Sequence, residues 1–367
     1  MHIQRVVLNN FRNITDAKIE LVGGINVFYG NNAQGKTNFL ESVYFCATGR
    51  SHRFGRDKEL IKIGEKMAFA SVFINNNGLD DKIAVQVEKD SKKIAVNGTV
   101  IKRLGELFGN LVCVIFSPED LSLVKAGPGL RRRFLDMELC QLYPAYYFNL
   151  RMYYKVLKQR NNLLREISAN PKLLDTLEIW DEQLVKFGKD IIATRGIFVA
   201  QLSLLADANQ KIITDNCESL EIIYKSNVDS DGFLEKLTKN RDFDIARKST
   251  SVGIHKDDLE FKINGRDGRV FASQGQQRTA ALSIKLAEID LIFREKGHMP
   301  VLLLDDILSE LDNKRQSFLM SKIEGLQTII TMTGAESVFG SFFSNDKKVE
   351  NARFFKVENG EFFAENP

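Results

Sequence analysis

The chain of 367 residues is 44% hydrophobic and 27% charged, which suits a globular protein of two lobes. No apolar stretch is expected to approach the ~18–20 residues that cross a bilayer, so we expect no membrane partner. The net charge of +3 does not by itself indicate nucleic acid. The N-terminus lacks an apolar signal region, and four widely spaced cysteines favour neither a zinc knuckle nor a disulfide framework, so we expect a cytoplasmic protein. These are Cys46, Cys113, Cys140 and Cys217.

The first segment, residues 1–122, is predicted to consist of strands with one helix. The apolar run 25–29 indicates a buried strand, and apolar residues at 40, 43, 44 and 47 follow with helical spacing. Between them, residues 30–37 (GNNAQGKT) fit the P-loop pattern G-x-x-x-x-G-K-[ST]. Further on, the pair Asn97-Gly98 predicts a hairpin turn, and 111–116 predicts another buried strand.

The P-loop predicts a site for a nucleoside triphosphate, and a chance glycine-rich turn is the less favoured interpretation. Backbone N–H groups of such a loop, and of the helix behind it, point at phosphate oxygens. Gly30 and Gly35 permit the turn and the close approach. We expect Lys36 to act catalytically by supplying positive charge to the β- and γ-phosphates, and Thr37 to complete a Mg²⁺ shell.

The second segment, residues 123–245, is predicted to be helical. Its longest apolar stripe alternates spacings of four and three and consists of Leu173, Leu177, Trp180, Leu184, Phe187 and Ile191. The stripe fits a helix in a compact lobe or a coiled-coil arm, and we favour the compact lobe because a free coil needs sustained heptads. We therefore predict an α/β ATPase domain, formed by 1–122 and 246–367, into which a helical lobe is inserted.

The third segment, residues 246–367, carries the remaining motifs. The apolar strand 301–304 brings two acids to the edge of the sheet, where Asp305 is predicted to bind Mg²⁺ and Asp306 to polarise the attacking water. Ser273, Gly275 and Gln276 precede a helix whose N-terminus offers an anion site, although a plain serine N-cap is the alternative. Because Lys36 already serves one triphosphate, a second anion site indicates the γ-phosphate bound by another copy, and hence a homodimer that ATP closes.

In this order the motifs resemble those of ABC-type ATPase heads. The opening residues 6–13 (VVLNNFRN) resemble SMC-like heads, and six further segments resemble the RecF family of bacterial recombination-repair proteins. Those segments are 49–53, 58–61, 116–121, 127–136, 253–259 and 273–279. The resemblance implies that ATP is bound by Arg12, Gly30, Asn31, Asn32, Ala33, Gln34, Gly35, Lys36, Thr37, Ser273, Gly275 and Gln276.

The resemblance also implies a function. It is that of an ATP-dependent DNA-binding clamp in gap repair, recombinase loading, DNA replication restart and SOS induction. The implied partners are single-strand gaps or duplex DNA, bound without regard to sequence, and mediators of the RecR/RecO type. Three departures from the broader ABC pattern indicate slow hydrolysis and a weak DNA-dependent ATPase. No clear glutamine-loop residue can be named, and Glu119 and Asp120, near the end of the strand 111–116, are the candidates to stand in for it. Asp306 stands in place of a longer glutamate, and 331–333 (TMT) replaces the switch histidine of transporters.

Two clusters of cations are candidates for DNA phosphate contacts, namely Arg50, Arg53 and Arg56, and Arg131, Arg132 and Arg133. A solvated charged face is the alternative for each cluster. The segment 255–258 (HKDD) has no role that its sequence assigns. Two other functions compete with the clamp, namely the ATP-driving subunit of a membrane transporter and a scaffold that binds ATP without hydrolysing it.

Overall fold

A computed structural model describes residues 1–53, 55–76, 78–167, 170–334 and 351–365. The chain forms two compact units. Unit 1 comprises Met1–Leu121 and Glu288–Pro367, and unit 2 comprises Ser122–Ala287.

The N-terminal part of unit 1 alternates strands with one long helix. Its elements are β1 (His2–Phe11), β2 (Ile14–Glu20), β3 (Ile25–Tyr29), α1 (Lys36–Thr48), β4 (Met67–Asn76), β5 (Leu79–Glu88), β6 (Lys92–Val96), β7 (Thr99–Val100) and β8 (Cys113–Phe116). Strands β2, β1, β4, β5, β6 and β7 form, in that order, an antiparallel sheet. The predicted turn at Asn97-Gly98 is confirmed, since both residues have positive φ, 50° and 81°.

Unit 2 is mostly helical and also contains a small sheet. Its elements are α2 (Pro128–Leu142), α3 (Pro144–Ile167), α4 (Leu177–Ile213), β9 (Leu220–Lys225), α5 (Phe233–Lys239), α6 (Arg241–Arg247), β10 (Asp258–Ile263), β11 (Arg266–Asp267) and α7 (Gly268–Phe271). The helix α8 (Gln274–Lys296) begins in unit 2. The stripe predicted at 173–191 lies largely on α4, where Leu177, Leu184 and Ile191 are buried in a compact unit rather than a coiled-coil arm.

The C-terminal boundary of the inserted unit differs from the one predicted from the sequence. The first boundary, after residue 121, lies next to the predicted one, but unit 2 continues to residue 287 instead of ending at 245. The reason is strand pairing: β10 pairs with β9 in antiparallel register, Leu220 opposite Ile263, and so holds the following segment in unit 2. The Ser273 motif therefore belongs to unit 2, and the acid pair belongs to unit 1.

The C-terminal part of unit 1 completes a second six-stranded sheet. Its elements are β12 (Val301–Asp305), α9 (Asn313–Lys322), β13 (Thr328–Met332), β14 (Ala352–Glu358) and β15 (Glu361–Glu365). The strand order is β15, β14, β3, β13, β12 and β8, with β15 alone antiparallel. Every residue of β3, β12 and β13 is buried, as expected for parallel strands covered on both faces. Parallel pairing brings the carboxyl ends of these three strands to one edge of the sheet.

One expectation about apolar segments needs correction. The stretch Pro171–Ile213 contains an 18-residue window of mean hydropathy 1.4, which is long and apolar enough to cross a membrane by length and composition. Sequence inspection missed it because the buried Arg195 and other polar residues interrupt the apolar run. That arginine is held by the carboxylates of Asp136 and Asp257, both of unit 2, which indicates a core helix.

Candidate functional site

The P-loop connects the buried strand β3 to helix α1, as its sequence predicts. Gly30 has φ of 147°, and Gly35, the residue before α1, has φ of 118°; only glycine adopts such angles freely. A Cβ atom at Gly30 would lie 2.4 Å from the carbonyl oxygen of Val357 on β14. The loop therefore lies too close to the neighbouring strand for any side chain at this position.

Lys36 lies at the start of α1 and is 4% exposed. Its Nζ donates hydrogen bonds to the carbonyl oxygens of Gly30 and Asn31, each at 2.8 Å. Burial lowers the pKa of Lys36, while the charges of Asp306 and Asp305 act in the opposite direction. The ammonium group is thus held over the loop, where phosphate oxygens can replace the carbonyls as acceptors.

The hairpin β14–β15 supports the far side of the loop. The backbone N–H groups of Asn359 and Gly360 donate to Gln34, to its side-chain oxygen at 2.5 Å and to its carbonyl oxygen at 2.8 Å. A cavity of about 350 Å³ opens beside these residues and reaches Asn31 and Lys356. Sequence analysis did not identify this support, although the pair Asn359-Gly360 is itself a hairpin-turn signal.

The structure brings the P-loop and the first acid together within unit 1. Thr37 Oγ1 donates to Asp305 Oδ1 at 2.8 Å, across 268 residues of sequence. The same carboxylate oxygen accepts a second hydrogen bond, also at 2.8 Å, from Thr331 Oγ1 on β13. A hydroxyl and a carboxylate side by side are hard oxygen ligands, so the donor set fits the Mg²⁺ that the sequence predicts.

Asp306 follows directly and has φ of 53°, in the left-handed region that side chains rarely adopt. Its Oδ1 atom is buried and has no hydrogen-bond partner in the part of the chain that the structure describes. Burial raises the pKa of Asp306; the Lys36 charge lowers it and the Asp305 charge raises it further. An incompletely satisfied carboxylate beside the P-loop lysine has the chemistry of a group that accepts a proton from water.

Arg12, a predicted ATP contact, is engaged elsewhere in this structure. Its Nε and Nη2 atoms donate to both carboxylate oxygens of Glu41 on α1, at 2.9 and 2.8 Å. Burial would raise the pKa of Glu41, but hydrogen bonds from Arg12 and Ser51 and the charges of Arg12 and Arg53 outweigh it and lower that pKa. Glu41 therefore pairs both with Arg12, which the sequence predicts to contact nucleotide, and with Arg53, which it predicts to contact DNA.

The Ser273 motif forms the N-terminus of α8 in unit 2. Ser273 is exposed; its Oγ accepts from the backbone N–H of Gln276 at 3.2 Å, and its own N–H donates to the Gln276 side chain at 2.9 Å. This is a capping box. The N-cap interpretation is thus correct in geometry, and the anion site at this helix N-terminus stays a prediction.

The two arginine clusters differ in exposure. Arg50 and Arg56 are exposed, whereas the guanidinium of Arg53 lies 3.8 Å from Glu41. Arg131 is 2% exposed and donates from Nε and Nη2 to both carboxylate oxygens of Asp258, at 2.7 Å each. We therefore exclude Arg131 from any DNA surface. The nearby Arg132 is half-buried, and its Nη1 donates to a backbone carbonyl, that of residue 257, while Arg133 is also half-buried.

The segment 255–258, which sequence analysis left without a role, joins the helices of unit 2. Asp257 accepts hydrogen bonds from the buried Arg195 at 2.7 Å and from the Tyr224 hydroxyl. Asp258 holds Arg131. The ring of His255 lies between the Tyr153 hydroxyl at 2.9 Å and the carbonyl of Thr250 at 3.0 Å, and burial lowers its pKa to about 4. These contacts link residues too distant in sequence for any local pattern to reveal them.

Comparison with known proteins agrees with the geometry. The family model for the RecF/RecN/SMC N-terminal domain matches residues 2–347. A protein of Lachnoclostridium phytofermentans named DNA replication and repair protein RecF is 48% identical over 98% of this chain and 99% of its own length. A Clostridium tetani protein of the same name is 46% identical, again over 98% and 99%.

Solved structures give the same result for the fold. The structure of a recombination mediator protein RecF with ATP, from the RecFOR pathway, is 36% identical, covers 100% of this chain and 98% of its own, and has a TM-score of 0.91. An SMC head bound to the winged-helix domain of ScpA, 16% identical with a TM-score of 0.56, shares the fold. The fold is thus that of an ABC-type ATPase head, and this chain belongs to the RecF family.

Proposed function

We propose that this protein is an ATP-dependent DNA-binding clamp of recombinational DNA repair. ATP and Mg²⁺ close a homodimer on DNA, and slow hydrolysis releases it. The observation that carries the proposal is the 2.8 Å contact between Thr37 and Asp305, because it joins the P-loop to the acid-bearing strand in one site. The RecF relatives, named for DNA replication and repair, support the repair role.

In this mechanism the P-loop residues bind the triphosphate and Lys36 neutralises its β- and γ-oxygens. Thr37 and Asp305 would hold Mg²⁺, which when bound supplies positive charge at the phosphates. Asp306 orients the attacking water and takes its proton, a task that its raised pKa favours. The short aspartate side chain reaches less far than glutamate, so we expect slow turnover, and a steady-state rate of many per second would contradict it.

The second half of the composite site comes from a second copy. The exposed N-terminus of α8, with Ser273, Gly275 and Gln276, is proposed to bind the γ-phosphate held by the partner's P-loop. Closure in this manner makes ATP part of the dimer interface. Gap repair, recombinase loading, replication restart, SOS induction and RecR/RecO-type mediators belong to the same proposal, as does action in the cytoplasm.

The dimer is tested by sedimentation velocity with a non-hydrolysable ATP analogue and Mg²⁺. We expect wild type to sediment as a dimer and Lys36→Arg to stay monomeric. Ser273→Arg is expected to bind nucleotide normally yet fail to pair, since its added cation occupies the position of the partner's γ-phosphate. Ser91→Arg, on an exposed hairpin turn, is the matched control and is expected to dimerise. A monomeric wild type under saturation contradicts the proposal.

The proposed DNA contacts are tested at Arg50 and Arg56, the two exposed arginines of the first cluster. We expect Arg50→Glu/Arg56→Glu to reduce ATP-dependent retention on DNA. The slope of log K against log[salt] is expected to decrease in magnitude by about one for each lost phosphate contact. Arg165→Glu, an exposed cation on α3, is the control. Single-turnover hydrolysis with and without DNA distinguishes a slow enzyme from a scaffold, because a scaffold releases no phosphate on any time scale.

A further inference from the structure

Thr331 occupies a central position between the two acids of the site. It lies on β13 and is completely buried, and its hydroxyl makes two short hydrogen bonds to the acids besides a longer contact, 3.4 Å, to the carbonyl oxygen of Leu304. Its Oγ1 donates to Asp305 Oδ1 at 2.8 Å and accepts from the backbone N–H of Asp306 at 2.9 Å. A hydroxyl has one proton and two lone pairs, so both hydrogen bonds form at the same time.

The second of these hydrogen bonds acts on a strained backbone. Asp306 has φ of 53°, a conformation that costs a residue other than glycine about 1–3 kcal/mol and persists only where neighbouring groups hold it. Its N–H faces both oxygens of Thr331, the hydroxyl at 2.9 Å and the carbonyl at 3.2 Å. Thr331 thereby fixes the peptide that directs the Asp306 carboxylate.

The presence of a hydroxyl at this position is informative. Valine has nearly the same shape as threonine, suits a buried strand equally well and needs no buried hydrogen bond. A buried hydroxyl without partners costs about 1–3 kcal/mol. The two acids satisfy this one at 2.8 and 2.9 Å, much closer than the Leu304 carbonyl at 3.4 Å, so threonine suits this position chiefly because of the acids. The stability of the strand therefore does not require the hydroxyl, whereas the geometry of the acids does.

We propose that Thr331 is a positioning residue for hydrolysis, an inference that rests on the proposed ATPase function. It holds Oδ1 of Asp305, so that the carboxylate keeps its orientation when the Thr37 hydroxyl turns from Asp305 towards a bound cation. It also holds Asp306 in the conformation that directs its carboxylate into the site. Thr331 is completely buried and acts through these two residues.

The test compares Thr331→Val and Thr331→Ser with wild type. Partners that orient metal ligands typically contribute 10- to 100-fold in metal affinity or activity. We expect the valine variant to bind a fluorescent ATP analogue normally without Mg²⁺. The Mg²⁺ concentration that gives half of the maximal change in fluorescence of the bound analogue is expected to rise about tenfold. The kcat for ATP hydrolysis is expected to fall about 10- to 100-fold. The serine variant, which keeps the hydroxyl, is expected to lie within about threefold of wild type on both measures.

Thr328→Val is the matched control. Thr328 lies on the same strand and is also completely buried, and its hydroxyl donates to the carbonyl of Leu326 at 3.3 Å, away from both acids. If Thr328→Val raises the Mg²⁺ requirement as much as Thr331→Val does, or if serine fails to rescue, the positioning role is refuted. An unchanged Mg²⁺ requirement in Thr331→Val refutes it too. If wild type hydrolyses no ATP, the proposed ATPase fails, and the Mg²⁺ titration still decides whether Thr331 positions Asp305.

Discussion

The buried arginine Arg160 on α3 gives the sharpest stability prediction for unit 2. Its Nε donates to Asp181 Oδ1 at 2.6 Å, and its Nη1 donates to Asp244 Oδ2 at 2.7 Å and to Thr250 Oγ1 at 2.9 Å. All three charged groups are fully buried. Substitution of Arg160 by methionine keeps most of the side-chain volume and removes the charge, so it leaves two buried carboxylates with fewer partners.

Removal of one partner from a buried ion pair costs about 3–5 kcal/mol. The lower end applies here because Asp181 keeps a second arginine, Arg241, at 2.9 Å, and Asp244 keeps the backbone N–H of Ser251, also at 2.9 Å. We therefore expect Arg160→Met to lower the free energy of unfolding of unit 2 by about 3 kcal/mol. With a urea m-value of about 2 kcal/mol/M, the midpoint falls by roughly 1.5 M.

The sequence provides a local reporter, because Trp180, the single tryptophan, directly precedes Asp181 on α4. Urea titration followed by tryptophan fluorescence therefore measures the unfolding of unit 2. Arg165→Met is the control, because Arg165 is an exposed arginine on α3, the helix of Arg160, and it is expected to change stability by less than about 0.5 kcal/mol. A loss below about 1 kcal/mol for Arg160→Met would refute the reasoning, since it would mean that the orphaned carboxylates find water or new partners.

Three further predictions concern other positions. Gly30→Ala is expected to weaken ATP binding by at least about tenfold in a fluorescence titration, because the added Cβ would clash with the Val357 carbonyl and alanine disfavours the positive φ. The control Gly64→Ala also has a positive φ but open space around the new Cβ, and it is expected to leave ATP affinity unchanged. Arg131→Ala is expected to lower the urea midpoint of unit 2 by roughly 1 M without changing the DNA affinity per folded molecule. The control Lys125→Ala, at an exposed lysine, is expected to leave the midpoint unchanged. An unchanged midpoint together with weaker DNA binding in Arg131→Ala would place Arg131 on the DNA surface after all. The pKa of His255 is about 4 in the folded chain and about 6.5 in the unfolded chain, so the unfolded chain binds the proton first as the pH falls. Stability is therefore lost between about pH 6.5 and about pH 4, by up to ~1.4 kcal/mol per pH unit. Urea midpoints at pH 7 and 5 are expected to converge in His255→Gln, and a dependence of the midpoint on pH as steep as that of wild type contradicts the assignment.

The sequence by itself determined the P-loop, its strand and helix, and the acid-bearing strand. The runs at 25–29 and 301–305 are completely buried and bounded by glycine or acid, so their local pattern suffices to place them. Parallel strands buried on both faces are uniformly apolar, and ligands gather at their carboxyl ends. Order along the chain then predicted that Thr37 and Asp305 share a site before any distance was known.

Only the tertiary structure decided which polar residues serve the site and which serve the core. In sequence Arg131 and Arg56 are equivalent surface cations, yet Asp258, 127 residues away, buries the first while the second stays exposed. Glu41 carries no motif, and the sequence marks 331–333 only as the place of a missing switch histidine, because a hydrogen bond between distant strands and helices leaves no periodic signal along the chain. Burial and pairing depend on which segments meet in space, and that information arises only when the chain folds.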